Sequence, residues 1–483
     1  MAKRLSSLIP ALAIMIAAAC ISTHAFGQAD GGGGGGGGPG GGGGGGPGGG
    51  GGAGGASDAG GIEIDANGVL RSRMNVESNG QLDRKSIASA KAKLSKDVQA
   101  VSELRKVSLN RLEAEVKKLI DAGQPVPEEM SYLAGMTRIT HVFFYPESND
   151  IVIAGPAEGF FHSSQNRVVG LQTGSATLQL QDLIVALRAF GPDGKSTKLI
   201  ACSIDPTQEG LARLKAAIPA AQQQFRPGDE AAVVNFFKQS LGMQTITVEG
   251  VSPKTHFAQV LVEADYHMKL IGIGLERTPT KIVSYIDKAT PSAVSKNALQ
   301  RWFFQPNYQC VSVSADRTAM QLVGGGVKLV GENERIANDG SRSNAGGANG
   351  ASKAFCNSFT NNYDVLAQKV PLYGELRNLM DMSIVAAFIQ NGDWYQKGGW
   401  NMEFFNDEAK CPVQTYAAPT HVESVVNAVW KGSYLMTPIG GGVNIQPRVA
   451  LNSDNVKSDE DGSIAATKEK GVTSLGSGRW WWD

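Results

Sequence analysis

The residues best suited to chemistry in this chain are His256, Glu263 and His267. Read as a helix, their segment puts all three on one polar stripe. Glu263 and His267 are four residues apart, one helical turn, so a carboxylate and an imidazole stand side by side and could hold one ion together. His256 precedes Glu263 by seven residues, roughly 10 Å along a helix axis, too far to join them readily. A metal site would need two more ligands from elsewhere. A solvated face with an ordinary i,i+4 contact explains the same spacing and is the reading adopted. No metal and no cofactor is expected, and no catalytic residue is assigned.

Other motifs are weaker. Gly191-Pro-Asp-Gly-Lys-Ser196 echoes the end of a phosphate-binding loop, but Ala189 stands where the motif's first glycine belongs. The segment also leaves a helix and enters a strand, the reverse of a phosphate cradle. Pro-Asp-Gly is itself a turn signal, and a turn is expected. The triple glycines Gly324–Gly326 and Gly440–Gly442 could form anion-binding backbone nests, although turns or bulges beside strands are the plainer reading. Trp394, Tyr395, Trp400, Phe404 and Phe405 cluster among glycines and polar residues. Such rings could stack on sugars, but core or interface packing is the preferred reading. There is no G-x-S-x-G, S-x-x-K, H-E-x-x-H or C-x-x-C. Cys202, Cys310, Cys356 and Cys411 lie far apart, without metal-ligand spacing. Two disulfides with three connectivities, or four buried thiols, fit them equally.

The elements that must position these residues read as mixed α/β (α+β). A helical N-terminal part, a central α/β region with hairpins and a helical C-terminal part are expected. Ile62 to Leu70 alternates around Asn67-Gly68, a hairpin signal. Residues 79–122 read as helices, with Leu109, Leu112, Val116 and Leu119 on one face and Gly123 at the cap. Thr140–Tyr145 and Ile151–Ala154 flank a turn. Leu178–Phe190 is helical and Lys198–Ile204 a strand. A helix starts at Pro206 with Asp205 as its N-cap. Asp229–Leu241 is helical and Thr245–Val251 a strand. Ser252-Pro253 opens the helix that carries His256, with Phe257, Leu261, Ala264, Met268 and Ile271 on one face. Trp302–Val330 reads as an antiparallel meander and Leu372–Gln390 as a helix.

The implied organisation is a signal peptide at 1–29, a flexible glycine-rich linker at 30–61 and a small hairpin plus helical region at 62–135. A central α/β domain follows at 136–332, an exposed loop at 333–350 and a helical subdomain at 351–451. The last segment, 452–483, reads as a disordered tail ending in Trp480, Trp481 and Trp482. Three adjacent indoles after a polar stretch suggest an attachment element dispensable for folding.

Composition bounds function. Lys+Arg and Asp+Glu are both 45, so no net field draws in nucleic acid. Lys3 and Arg4 precede the apolar run Leu8–Ala19, and Gly27-Gln28-Ala29 offers small residues at a cleavage site. A twelve-residue run is short of the roughly 20 residues a membrane span needs, so no transmembrane segment is expected in the mature chain. The competing reading is a lipid anchor at Cys20 after Ala18-Ala19, although Ala17 stands where a lipobox has Leu.

Asp150–Gly159, Val262–Glu276 and Met436–Pro447 carry a resemblance. With their surroundings, from about Gln124 to about Leu451, they resemble a family of exported bacterial proteins classed as a domain of unknown function. The resemblance implies no activity, substrate or catalytic residue. The expected role is an exported, non-catalytic envelope protein that binds or scaffolds, with an envelope protein or a glycan as partner. A glycan-binding module and an envelope hydrolase are the alternatives. The intact mass of exported protein should fit a chain starting at Asp30, whereas a mass fitting a diacylated Cys20 would establish the lipoprotein instead.

Overall fold

Apolar residues alternating on either side of Asn67-Gly68 form the hairpin their pattern predicts. Ile62–Ile64 pairs antiparallel with Val69–Ser72, and Gly68 takes φ 77° at the turn. The computed structural model describes residues 60–73, 80–294, 298–435, 437–470 and 478–483. The expected leader at 1–29, Cys20, nearly all of the glycine run and Met436 lie outside the described residues.

Two sheets carry the fold. The nine-stranded sheet runs, in spatial order, Ile62–Ile64, Val69–Ser72, His421–Glu423, Met243–Glu249, Ile200–Pro206, Ile439–Ile445, Ala298–Pro306, Val327–Ile336 and Arg342–Gly347. The seven-stranded sheet runs Val456–Ser458, Val311–Val313, Ala319–Leu322, His141–Tyr145, Asp150–Ala157, Ser102–Ser108 and Trp481–Trp482. Pairing is mostly antiparallel; Ala298–Pro306 with Ile439–Ile445 is one parallel pair. The fold is therefore mixed α+β, as expected.

The helix His256–Gly272 packs on Ile200–Pro206 and Ile439–Ile445. Behind it lies Pro371–Asn391, started by Pro371 at its first turn and buried on all faces. Gly440–Gly442 sits inside a central strand rather than in a turn. A Cβ on Gly441, at φ 123°, would lie 1.9 Å from Trp302 O, and one on Gly442 would lie 1.8 Å from Cys202 O. Gly324–Gly326 does form a turn, with Gly324 and Gly326 at positive φ.

Several expectations are corrected. Residues 79–122 are not helical throughout, because the strand Ser102–Ser108 separates Gln81–Lys93 from Leu109–Asp121. Neither end of the fold is simply helical, since both contribute strands. Asp205 is not a helix cap: Pro206 ends a strand, and the Thr207 side chain caps Gln208–Gln224 by accepting from Gly210 N–H. Likewise Thr255, not Ser252, caps the helix carrying His256. The expected meander divides, with Val311–Val313 and Ala319–Leu322 crossing to the second sheet. The exposed 333–350 segment contains the strand Arg342–Gly347.

The largest correction is the tail. It includes the strand Val456–Ser458, the helix Ser463–Glu469 and the strand Trp481–Trp482, which pairs with Ser102–Ser108. Trp480, Trp481 and Trp482 are only 4%, 8% and 6% exposed. The Arg105 guanidinium stacks 4.5 Å over the Trp481 ring and pairs with the Asp483 carboxylate at 2.9 Å. The indoles dock on their own fold and do not reach outward. Trp481→Ala should therefore cost about 3–5 kcal/mol, the usual range for truncating a core aromatic. Urea unfolding measures it, and an unchanged midpoint would restore the reading of a free, dispensable tail.

A polar cleft as candidate functional site

The helix His256–Gly272 projects Glu263 and His267, one turn apart, into the same cleft of about 220 Å³. The cleft also draws on Arg167, on Glu276 beyond the helix, and on Tyr373 from the buried helix. The face is not solvated as the sequence suggested. Glu263 is 2% exposed, because Arg167 and Glu375 from distant segments cover it. His256 stands apart, as its spacing implied: its Nδ1 lies 2.8 Å from Asp182 Oδ2, away from the cleft.

Charge in the cleft is arranged around one guanidinium. Arg167 Nη2 donates to Glu263 Oε1 at 2.5 Å, and its Nη1 donates to Glu375 Oε2. His267 Nδ1 lies 2.5 Å from Glu276 Oε2. Burial alone would lower the His267 pKa, but the hydrogen bond and charge of Glu276, helped by Glu263, carry it above the ordinary value. Burial also drives the Tyr373 hydroxyl pKa well up. Two buried polar atoms, Glu263 Oε2 and the Tyr373 hydroxyl, have no hydrogen-bond partner among the described residues.

Main chain of the protein itself lies against these groups. Gly61 N–H donates to Glu263 Oε1 at 3.0 Å. A Cβ on Gly60 would stand 2.2 Å from Arg167 Nη2, and one on Gly61 would stand 2.7 Å from Glu263 Oε1. Neither position has room for a side chain.

The other sequence candidates go elsewhere. Trp394 stacks on Phe144 at 5.7 Å, and the Trp400 indole donates to buried Glu113, which also accepts from Phe404 and Phe405 N–H. Trp394, Tyr395, Trp400, Phe404 and Phe405 are thus core residues, and Trp400, Phe404 and Phe405 surround a buried carboxylate. Gly191–Ser196 is a turn in which Asp193 Oδ1 accepts from Lys195 N–H at 3.1 Å. Cys202, Cys310, Cys356 and Cys411 are free and buried. Burial pushes the Cys310 and Cys356 thiols up to about 12 and Cys411 to about 11, far from nucleophilic thiolates. Among the described residues, no group of three or more His, Cys, Asp and Glu could hold a metal ion. Arg167, Tyr373 and the two glycines carried no sequence signal, because nothing local marks them as neighbours of Glu263.

Residues 202–285 match a family model described as a protein of unknown function (DUF1598). Of the three segments behind the sequence resemblance, only Val262–Glu276 falls inside the match. Glu263, His267 and Glu276 are within it, while Arg167, Tyr373 and the glycines are outside. No curated protein and no solved structure matches the chain.

The His267 pair ties stability to pH. Its folded pKa is raised, so its contribution is fully present below the unfolded value of about 6.5 and is lost as pH rises through the folded value. His267→Gln should cost more stability at pH 5.5 than at pH 8.5, as measured by urea unfolding. Equal losses at both pH values would mean that Glu276 holds no extra proton on the ring.

Proposed function

We propose that the chain is an exported, non-catalytic binding or scaffolding protein of the bacterial envelope, and that the cleft around Arg167, Glu263, His267 and Tyr373 receives its partner. The observation that carries this reading is the seat of Gly60–Gly61. Two consecutive glycines lie against a buried charge cluster that accepts a main-chain N–H and leaves no space for Cβ atoms. A cleft of this kind selects main chain by exclusion, since any larger residue meets Arg167 or Glu263. The ligand class it fits is a peptide segment with adjacent glycines, and Gly60–Gly61 fills the place in cis. Export draws its support from the Lys3-Arg4 charges, the Leu8–Ala19 run and the small residues before Asp30.

The two alternatives differ in support. Glycan binding loses the aromatic platform it invoked, because Trp394 and Trp400 are buried in the core. An envelope hydrolase draws on one feature, a histidine of raised pKa beside a buried carboxylate in a cleft.

The test uses the full mature chain carrying Gly60→Ala and Gly61→Ala, which should expel residues 60–61 from the cleft. The tripeptide Gly-Gly-Ile, copied from residues 60–62, should bind this variant by calorimetry at least tenfold more tightly than it binds the parent. Adding Glu263→Gln should abolish the gain. Equal, absent or Glu263-independent binding would remove the cleft as a peptide site, and cleavage of the peptide seen by mass spectrometry would establish the hydrolase.

A further inference from the structure

A second cavity of opposite character lies beneath the helices Gln208–Gln224 and Glu230–Leu241. It measures about 470 Å³, the size range of small-molecule sites, and its walls include Leu214, Ile218, Phe225, Val233, Phe237 and Ile336. These side chains belong to a hydrophobic cluster separate from the main core. The space opens to solvent beside Trp430, so it offers a mostly apolar, reachable wall of small-ligand size. The hairpin of Val429–Trp430 and Tyr434–Leu435 closes one side. The Tyr434 hydroxyl pins it in place, donating to Arg226 O at 2.6 Å and accepting from Asp229 N–H at 2.9 Å. Trp430, at 39% exposed, stands at the mouth.

Charge in the lining has one sign. Lys215 and Arg226 line the cavity, and no acidic residue does among the described residues. Lys215 Nζ donates to Ile336 O at 2.8 Å, which leaves two of its three N–H groups for another acceptor. Arg226 Nη1 is engaged by the carbonyls of Gln223 and Phe225. Neither cation has an ion-pair partner among the described residues. Asp229 Oδ2 accepts the Arg226 backbone N–H, and Asp339 Oδ1 accepts from Ser341 while the more distant Lys215 charge helps hold its carboxyl below the usual range.

We propose that this cavity binds a free single-chain amphiphile of the fatty-acid class, its alkyl chain among Leu214, Val233 and Phe237 and its carboxylate between Lys215 and Arg226. An apolar interior fixes the chain, and a cationic rim discriminates an anionic head from an uncharged one. The site is separate from the glycine cleft and does not depend on the function proposed for it.

The experiment titrates the full mature chain with dodecanoate, with dodecanol, and with vesicles of anionic phospholipid, following Trp fluorescence and calorimetry. Dodecanoate should bind saturably and at least tenfold more tightly than dodecanol. The double variant Lys215→Ala, Arg226→Ala should erase that preference while leaving dodecanol binding in place. Ala221→Leu, which fills the cavity from its wall, should weaken both ligands while the circular dichroism spectrum of the folded chain stays unchanged. Three results would overturn the proposal: no dodecanoate binding, a preference for dodecanol, or vesicle binding without binding of free dodecanoate. If Ala221→Leu fails to fold, the charge variant decides the matter alone, since both of its sites lie at the rim.

Discussion

A helix buried on every face has no water to satisfy its polar side chains, and that constraint organises this chain. Pro371–Asn391 keeps everything from Leu372 to Ile389 out of solvent, yet it carries Glu375, Arg377, Asn378 and Asp381. Each needs a partner inside the protein, because an uncompensated buried charge costs several kcal/mol. Glu375 takes Arg167, and Asp381 takes Arg138 at 3.1 Å. Arg377 faces Asp364 at 3.6 Å, and Asn378 Nδ2 donates to Thr137 O at 3.1 Å. Thr137 and Arg138 lead into the strand His141–Tyr145, so these contacts fix how the seven-stranded sheet meets the helix. Arg167 then has a second face free for Glu263, and the polar cleft is the consequence of that shared guanidinium.

The same logic operates at the other end of the chain. Arg105 sits fully buried within a strand, where its guanidinium donates to the carbonyls of Asp97, Val98, Ala100 and Ala134. Four neutral acceptors solvate the cation without neutralising it. The Asp483 carboxylate supplies the charge, and Trp481 covers the flat face. The strand Trp481–Trp482 also covers the outer edge of Ser102–Ser108, an edge otherwise open to pairing with another chain.

This explains what the sequence could and could not disclose. Periodicity identified Pro371–Asn391 and His256–Gly272 within a residue or a few, since their apolar patterns are local. The hairpin at Asn67-Gly68 was legible for the same reason. Ser102–Ser108 was not, because Arg105 and Lys106 look like solvent-facing helix residues until Asp483 is known to lie beside them. Asp205 passed for an N-cap because Asp followed by Pro is a local signal. In the fold its carboxylate instead binds Arg301 and Gly441 N–H, 96 and 236 positions away. Glu263 and His267 were singled out as neighbours from spacing alone. The burial of Glu263 was hidden, since the Arg167–Glu375 pair that lies against it comes from distant segments.

The family match bears on both cavities in the same way. Residues 202–285 supply Glu263, His267 and Glu276 to the polar cleft, and Leu214, Phe225, Val233 and Phe237 to the apolar cavity. The remaining walls come from outside it: Gly60, Arg167 and Tyr373 for one, Ile336 and the Trp430–Tyr434 hairpin for the other. The strand Ile200–Pro206 and the helix His256–Gly272 are held together within this segment by Lys269, which donates to Ile204 O at 2.6 Å and pairs with buried Asp265 at 2.7 Å. The matched segment therefore contributes walls to both cavities. The segments that fold against it contribute the glycine seat to the cleft and the Val429–Leu435 hairpin to the apolar cavity.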